Sequence, residues 1–158
     1  MEINILIDEG FEGYIDEAWL ESLAREVLAA EGVESSSEIS LVITDQERIR
    51  GLNSTYLGRD EPTDVISFSM LPEYSGTDLA SFVSPPDGIK HLGEVIISYP
   101  QAVIQAEECK HTVKRELAIL LIHGVLHLLG YDHEEPETEQ KMRAREAAIL
   151  SRIERGQG

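Results

Sequence analysis

The chain has 158 residues, with 30 Asp or Glu against 13 Lys or Arg and a formal net charge of −17. That length suits one domain over residues 1–158, able to bury roughly two thirds of the surface its unfolded chain exposes. A lone cysteine, Cys109, excludes an intrachain disulfide, the longest apolar run (Leu117 to Leu129) is too short for a membrane span, and no charged segment followed by an apolar one opens the chain, so a cytoplasmic protein with no membrane contact is expected.

In chain order, the apolar INILI run at the start reads as a strand, a helix follows from about Asp16 to Ala30, and ISLVIT at Ile39 to Thr44 is a second strand. Asp45 can cap a short helix through Tyr56 by accepting the unpaired amide hydrogens of its first turn, and Pro62 ends that pattern before the VISF strand at Val65. The stretch from Leu71 to Lys90 is rich in Gly, Pro and Ser, which makes it either a long loop bordering a cleft or a segment without fixed structure. A strand is predicted at Leu92 to Ser98, then helices at Pro100 to Lys110, Thr112 to Leu129, and from Pro136 to about Glu154. There is no internal repeat. Four β segments and about five helices argue for a single α+β domain in which a small, mostly parallel or mixed sheet carries the helices, with the Thr112 to Leu129 helix central.

That helix carries the chemistry. Residues His123 to His133 read HGVLHLLGYDH. Positions four apart lie on one helical face, so His123 and His127 can grip one ion. A third ligand on the same helix would point elsewhere; the chain must leave the helix, and Gly130 tolerates the left-handed turn that brings His133 back. Neutral imidazoles suit zinc, and three protein ligands leave a fourth position open, as in catalytic sites. One Zn2+ per chain is therefore expected. Buried histidines are often no more than hydrogen-bonded core residues, but three in this register would bury several polar rings at about 1–3 kcal/mol each if unsatisfied, a cost that a shared metal removes. His91 and His111 have no partner at ligand spacing and are assigned surface or structural roles.

The H-x3-H-x5-H spacing, glycine included, coincides with the metzincin peptidase pattern HExxHxxGxxH. Where those enzymes carry the glutamate that serves as general base, this chain has Gly124, which demotes peptide hydrolysis.

Three segments in order, LNSTYLGRDEPTDVISF at Leu52 to Phe68, LGEVIIS at Leu92 to Ser98 and HGVLHLLGYDH, resemble the YbeY family. The resemblance runs from about Ser37 to the end of the histidine segment. It implies a mixed four-stranded sheet and a single-strand-specific, metal-dependent endoribonuclease that matures small-subunit (16S) ribosomal RNA at its 3′ end and takes part in ribosome quality control. It also implies contact with small-subunit ribosomal proteins and a ribosome-associated GTPase. Carried over, the metal ligands are His123, His127 and His133, with Tyr131 and Asp132 completing the motif. The family's arginine after the tyrosine of the LNxxY segment is Leu57 here. Arg59 is either its substitute, a guanidinium fork for a phosphate, or a solvated loop cation. Asp132 either orients a ligand imidazole through its second ring nitrogen or serves the turn itself, and Asp64 carries the same two readings. Either water or the RNA 2′-hydroxyl can be the nucleophile, the second leaving a 2′,3′-cyclic phosphate.

The charge stands against this reading, because RNA binding normally needs Lys and Arg to neutralise phosphates. The acids are concentrated at the start, where the first 24 residues hold seven and no Lys or Arg. Lys110, Lys114, Arg115, Lys141, Arg143 and Arg145 lie in segments that either flank the histidine helix as a local basic cleft or pair with Glu107, Glu116, Glu139 and Glu146 on solvated faces. Weak, salt-sensitive binding of free RNA is expected, with the acidic body approaching basic ribosomal proteins. Two other classes stay open: a zinc metallopeptidase, and a non-catalytic ribosome assembly factor whose metal only stiffens the fold.

Overall fold

Alternation of apolar and polar residues makes β1 (Glu2–Ile7) and β2 (Ser37–Thr44) two-faced strands, and they pair in parallel with Ile3, Ile5 and Ile7 opposite Ile39, Leu41 and Ile43. The computed structural model describes residues 2–33, 36–57, 64–69, 90–131 and 135–157. Of the Gly-, Pro- and Ser-rich segment from Leu71 to Lys90, Lys90 lies in a strand and the rest falls outside the described residues.

β2 pairs in parallel with β4 (Lys90–Ser98), and β4 pairs antiparallel with β3 (Val65–Ser69), giving a mixed four-stranded sheet of order β1-β2-β4-β3. The register between β2 and β4 slips by one residue at Leu92, since Glu38 lies opposite His91 and Ile39 opposite Gly93. Gly93 sits at a close approach between β4 and β3. Its φ is +133°, and a Cβ there would stand 2.1 Å from the Phe68 carbonyl oxygen of β3, so only glycine fits.

Five helices complete the fold: α1 (Glu17–Ala30), α2 (Gln46–Leu57), α3 (Tyr99–Cys109), α4 (Val113–Leu128) and α5 (Pro136–Gln157). Each predicted element is found, with ends displaced by at most three residues. Caps explain the boundaries. Asp16 Oδ1 accepts the Ala18 amide at 3.0 Å, Asp45 Oδ1 accepts that of Arg48 at 2.8 Å, and Thr112 Oγ1 accepts that of Arg115 at 3.1 Å.

One sheet face packs on α1 and α4 and holds most of the core, including Leu20, Leu28, Leu41, Val95, Leu121 and Leu126. On the other face, Ile49 of α2 closes over Ile66 and Ile96. α4 is buried nearly all round because it touches β3, β4, α1, α3 and α5, and it is the central helix, as its apolar sequence requires. Among the described residues no helix is long and apolar enough to cross a membrane.

Candidate metal centre

The site begins at Gly124. A Cβ there would lie 2.5 Å from Val95 Cγ1, 3.2 Å from Val65 Cγ2 and 3.3 Å from Ser67 Oγ, so the helix rests directly on β3 and β4. The Ser67 hydroxyl donates to the Gly124 carbonyl at 2.8 Å and fastens the contact. This face of α4 has no room for the glutamate that the peptidase pattern places there. With Gly124 against the sheet, its neighbour His123 and the residue one turn on, His127, are left partly open to solvent.

Their rings meet edge to face, centroids 4.6 Å apart, with the two Nε2 atoms 3.1 Å from each other. His123 Nδ1 stands 3.0 Å from Glu146 Oε1 of α5. An ionised carboxylate only accepts, so this contact calls for a proton on His123 Nδ1, and the neutral ring then presents its Nε2 lone pair toward His127. Two ligand nitrogens on one tetrahedral ion, each at about 2.0–2.1 Å, stand about 3.3–3.4 Å apart. The observed spacing, the fixed tautomer and the donor type fit a divalent ion such as zinc, in the carboxylate–histidine–metal arrangement that orients such ligands.

The helix then stops as the glycine requires. Gly130 has φ +102°, its amide donates to the His127 carbonyl at 3.1 Å, and the Tyr131 amide donates to the Leu126 carbonyl at 3.0 Å, the paired bonds of a Schellman C-cap. The turn is held from the side. Tyr131 Oη donates to Glu31 Oε2 at 3.0 Å, and Arg145 Nε of α5 donates to Glu31 Oε1 at 2.8 Å. Burial, reinforced by the bond to Glu31, pushes the Tyr131 phenol above its usual range. A cavity of about 220 Å³ lies beside this turn, lined by Leu129, Gly130, Tyr131, Thr138 and Lys141.

Of the predicted site residues, His123 and His127 are brought together, while Arg59, Asp132 and His133 lie outside the described residues. Among the described residues no group of three His, Cys, Asp or Glu is arranged to hold a metal. Asp64 immediately precedes β3; its Oδ1 accepts the Val65 amide at 2.8 Å and its carbonyl accepts the Ser98 amide at 2.9 Å. His91 stands 3.0 Å from Glu38, and His111 Nε2 stands 3.2 Å from the buried Glu116, structural positions as expected.

The three arginines proposed for a basic cleft are all engaged with acids. Arg115 pairs with Glu154, Arg143 with Glu139 at 2.6 Å and Arg145 with Glu31, while Lys114 lies over the Trp19 ring at 5.2 Å. Among the described residues, Arg143 alone of these cations meets an acid proposed on sequence spacing. Glu116 and Glu146, offered as partners for these cations, are instead taken by histidines. Glu146 is the residue that sequence reasoning missed at the site, because nothing in a charged helix marks which acid faces a histidine 23 positions away.

The family model described as endoribonuclease YbeY matches residues 9–154. Proteins named endoribonuclease YbeY are similar to this chain over most of its length. That of Dehalococcoides mccartyi strain CBDB1 is 49% identical over 155 residues, covering 97% of this chain and 93% of the relative. That of Roseiflexus castenholzii is 42% identical over 152 residues (96% and 92%), and that of Geobacillus thermodenitrificans is 47% identical over 135 residues (85% and 84%). The solution structure of TM1509 from Thermotoga maritima superposes with a TM-score of 0.57 at 24% identity, covering 98% of this chain and 93% of the other, a likeness of fold alone.

Proposed function

The chain belongs to the endoribonuclease YbeY family, and from that premise we propose that it is a zinc-dependent, single-strand-specific endoribonuclease whose 158 residues form one metallohydrolase domain. Its substrate is ribosomal RNA, at the 3′ end of the small-subunit (16S) RNA, and its work lies in ribosome maturation and quality control in the cytoplasm.

The observation that carries the reading is the pair of imidazole Nε2 atoms at 3.1 Å, one of them aimed by Glu146. His123 and His127 would hold the ion, with His133 as the third ligand. Zinc, when bound, supplies Lewis-acid polarisation of water and of a phosphoryl oxygen. Glu146 keeps the His123 proton on Nδ1, so that the Nε2 lone pair stays available. Gly124 seats the helix and leaves no space for the carboxylate base that peptide hydrolysis uses. Arg59 binds an RNA phosphate in place of the arginine absent at Leu57, and Asp132 orients a ligand imidazole. With Arg115, Arg143 and Arg145 tied to acids, free RNA is held weakly. The acidic surface instead meets basic small-subunit ribosomal proteins, which bring the cleft to the RNA end.

The test is cleavage of matched single-stranded and duplex RNAs by the purified chain. Cleavage of the single strand, lost with a chelator and restored by zinc, is expected. Equal cutting of both RNAs, or cutting indifferent to the chelator, would refute the reading. A cyclic phosphate at the new 3′ end would identify the 2′-hydroxyl as nucleophile.

A further inference from the structure

Glu31 closes α1, and its side chain is only 8% exposed. Among the described residues its carboxylate accepts from two: Oε1 takes the Arg145 Nε hydrogen at 2.8 Å and Oε2 takes the Tyr131 hydroxyl at 3.0 Å. Arg145 also donates from its terminal nitrogen to the Ala30 carbonyl at 3.2 Å, which fixes its fork against the end of α1. With Glu31 buried but the Arg145 side chain 39% exposed, the pair adds little net stability, and what it supplies is fixed geometry.

The geometry it fixes is that of the turn after the histidine helix. Tyr131 is two residues before His133, and two residues span at most about 7 Å. On the far side, Glu135 is anchored to the first turn of α5 by Thr138, whose Oγ1 donates to the Glu135 carbonyl at 2.9 Å and accepts its amide at 3.3 Å. Tyr131 and Glu135, the described residues on either side of positions 132–134, are therefore both anchored. The residue after Arg145 on α5 is Glu146, the partner of His123. Adjacent helical residues point about 100° apart, so one faces α1 and the turn while the other faces α4.

We propose that Glu31 and Arg145 are positioning residues for the metal centre: through Tyr131 they hold the turn that closes the histidine helix after His127, so that α5 braces both that turn and His123 through two consecutive residues. This rests on the metal reading above and assigns a role to residues on α1 and α5 that touch neither the ion nor RNA.

The test measures zinc affinity of the full chain by competition with a chromophoric chelator, and hydrogen exchange of the metal-free protein over residues 130–135, in Tyr131→Phe, Glu31→Gln and Arg145→Lys. Tyr131→Phe keeps the ring and removes only the hydroxyl. Zinc affinity is expected to fall about 10- to 100-fold, with faster exchange over 130–135 and an almost unchanged unfolding midpoint. The Glu31→Gln/Tyr131→Phe double variant is expected to bind no more weakly than the worse single one, because both act through the same contact. Affinities within about twofold of wild type, or losses that only track a fall in global stability, would overturn the proposal. Should Glu31→Gln fail to fold, Tyr131→Phe decides the matter. A wild-type chain that takes up no zinc overturns the metal reading and this proposal with it, whereas wild type and variants that bind zinc equally overturn the positioning role alone.

Discussion

Replacing Gly124 by alanine tests how the histidine helix is seated. The added Cβ would stand 2.5 Å from Val95 Cγ1, where carbon atoms in good contact are about 3.5–4.0 Å apart. Val95 cannot give way easily: it is fully buried, β-branched, and on a strand paired on both sides by β2 and β3. Helix and sheet must therefore separate by about 1 Å. Overpacking of this kind costs about 1–3 kcal/mol, and alanine returns up to about 1 kcal/mol through its better helix propensity. The expected net loss is about 1–2 kcal/mol, or a fall in melting temperature of about 2–8 °C for a chain of this size. Urea titration followed by circular dichroism reads this as a lower midpoint with unchanged slope. Gly124→Glu, which restores the peptidase letter, should destabilise further and yield no proteolysis of an unstructured protein. An alanine variant as stable as wild type would refute the close seating of α4 on Val95, and with it the stated reason that this position carries no carboxylate.

Three further outcomes follow from the same contacts. Glu146→Ala is expected to weaken zinc binding about 10- to 100-fold with little change in the fold, checked by chelator competition beside a urea melt. Gly93→Ala should cost more than about 3 kcal/mol, since it combines a positive φ with a backbone clash; chemical denaturation or insolubility on expression would register it. The Tyr99 phenol is pushed up by burial and then by Tyr14, and the Tyr131 phenol by burial and then by Glu31, so both favour the neutral form in the folded state. Their contribution to stability is complete below the ordinary value of 10.0 and is lost as pH rises through the raised one. The urea midpoint should fall as the pH is raised above 10.0, and fall less in Tyr131→Phe.

Much of this was legible in the chain. Periodicity and caps located the four strands and five helices, because Asp16, Asp45 and Thr112 mark helix starts by a local mechanism that needs no tertiary contact. The His123 and His127 pairing follows from helical spacing, and the positive φ at Gly130 from the need to turn back. Strand order and the antiparallel direction of β3 are of another kind: periodicity shows that a segment is two-faced, not which neighbour it meets. The Glu31–Arg145 pair joins residues 114 positions apart, and acid–base spacing along one helix says nothing about such partners. Reading charges by local spacing placed Arg143 correctly with Glu139, yet missed that Glu146 serves His123. Of the two readings of the cations, pairing holds for the three arginines, but Arg145 and Arg115 take acids from the end of α1 and from α5 that only the fold brings to them.

The most direct measurement is the zinc content of purified wild type and His127→Ala, taken with single-stranded RNA cleavage by both under the same conditions. One zinc per wild-type chain is expected, with metal and cleavage lost together in a variant that still folds. A His127→Ala protein that retains its zinc and cuts RNA at the wild-type rate would contradict the proposed centre.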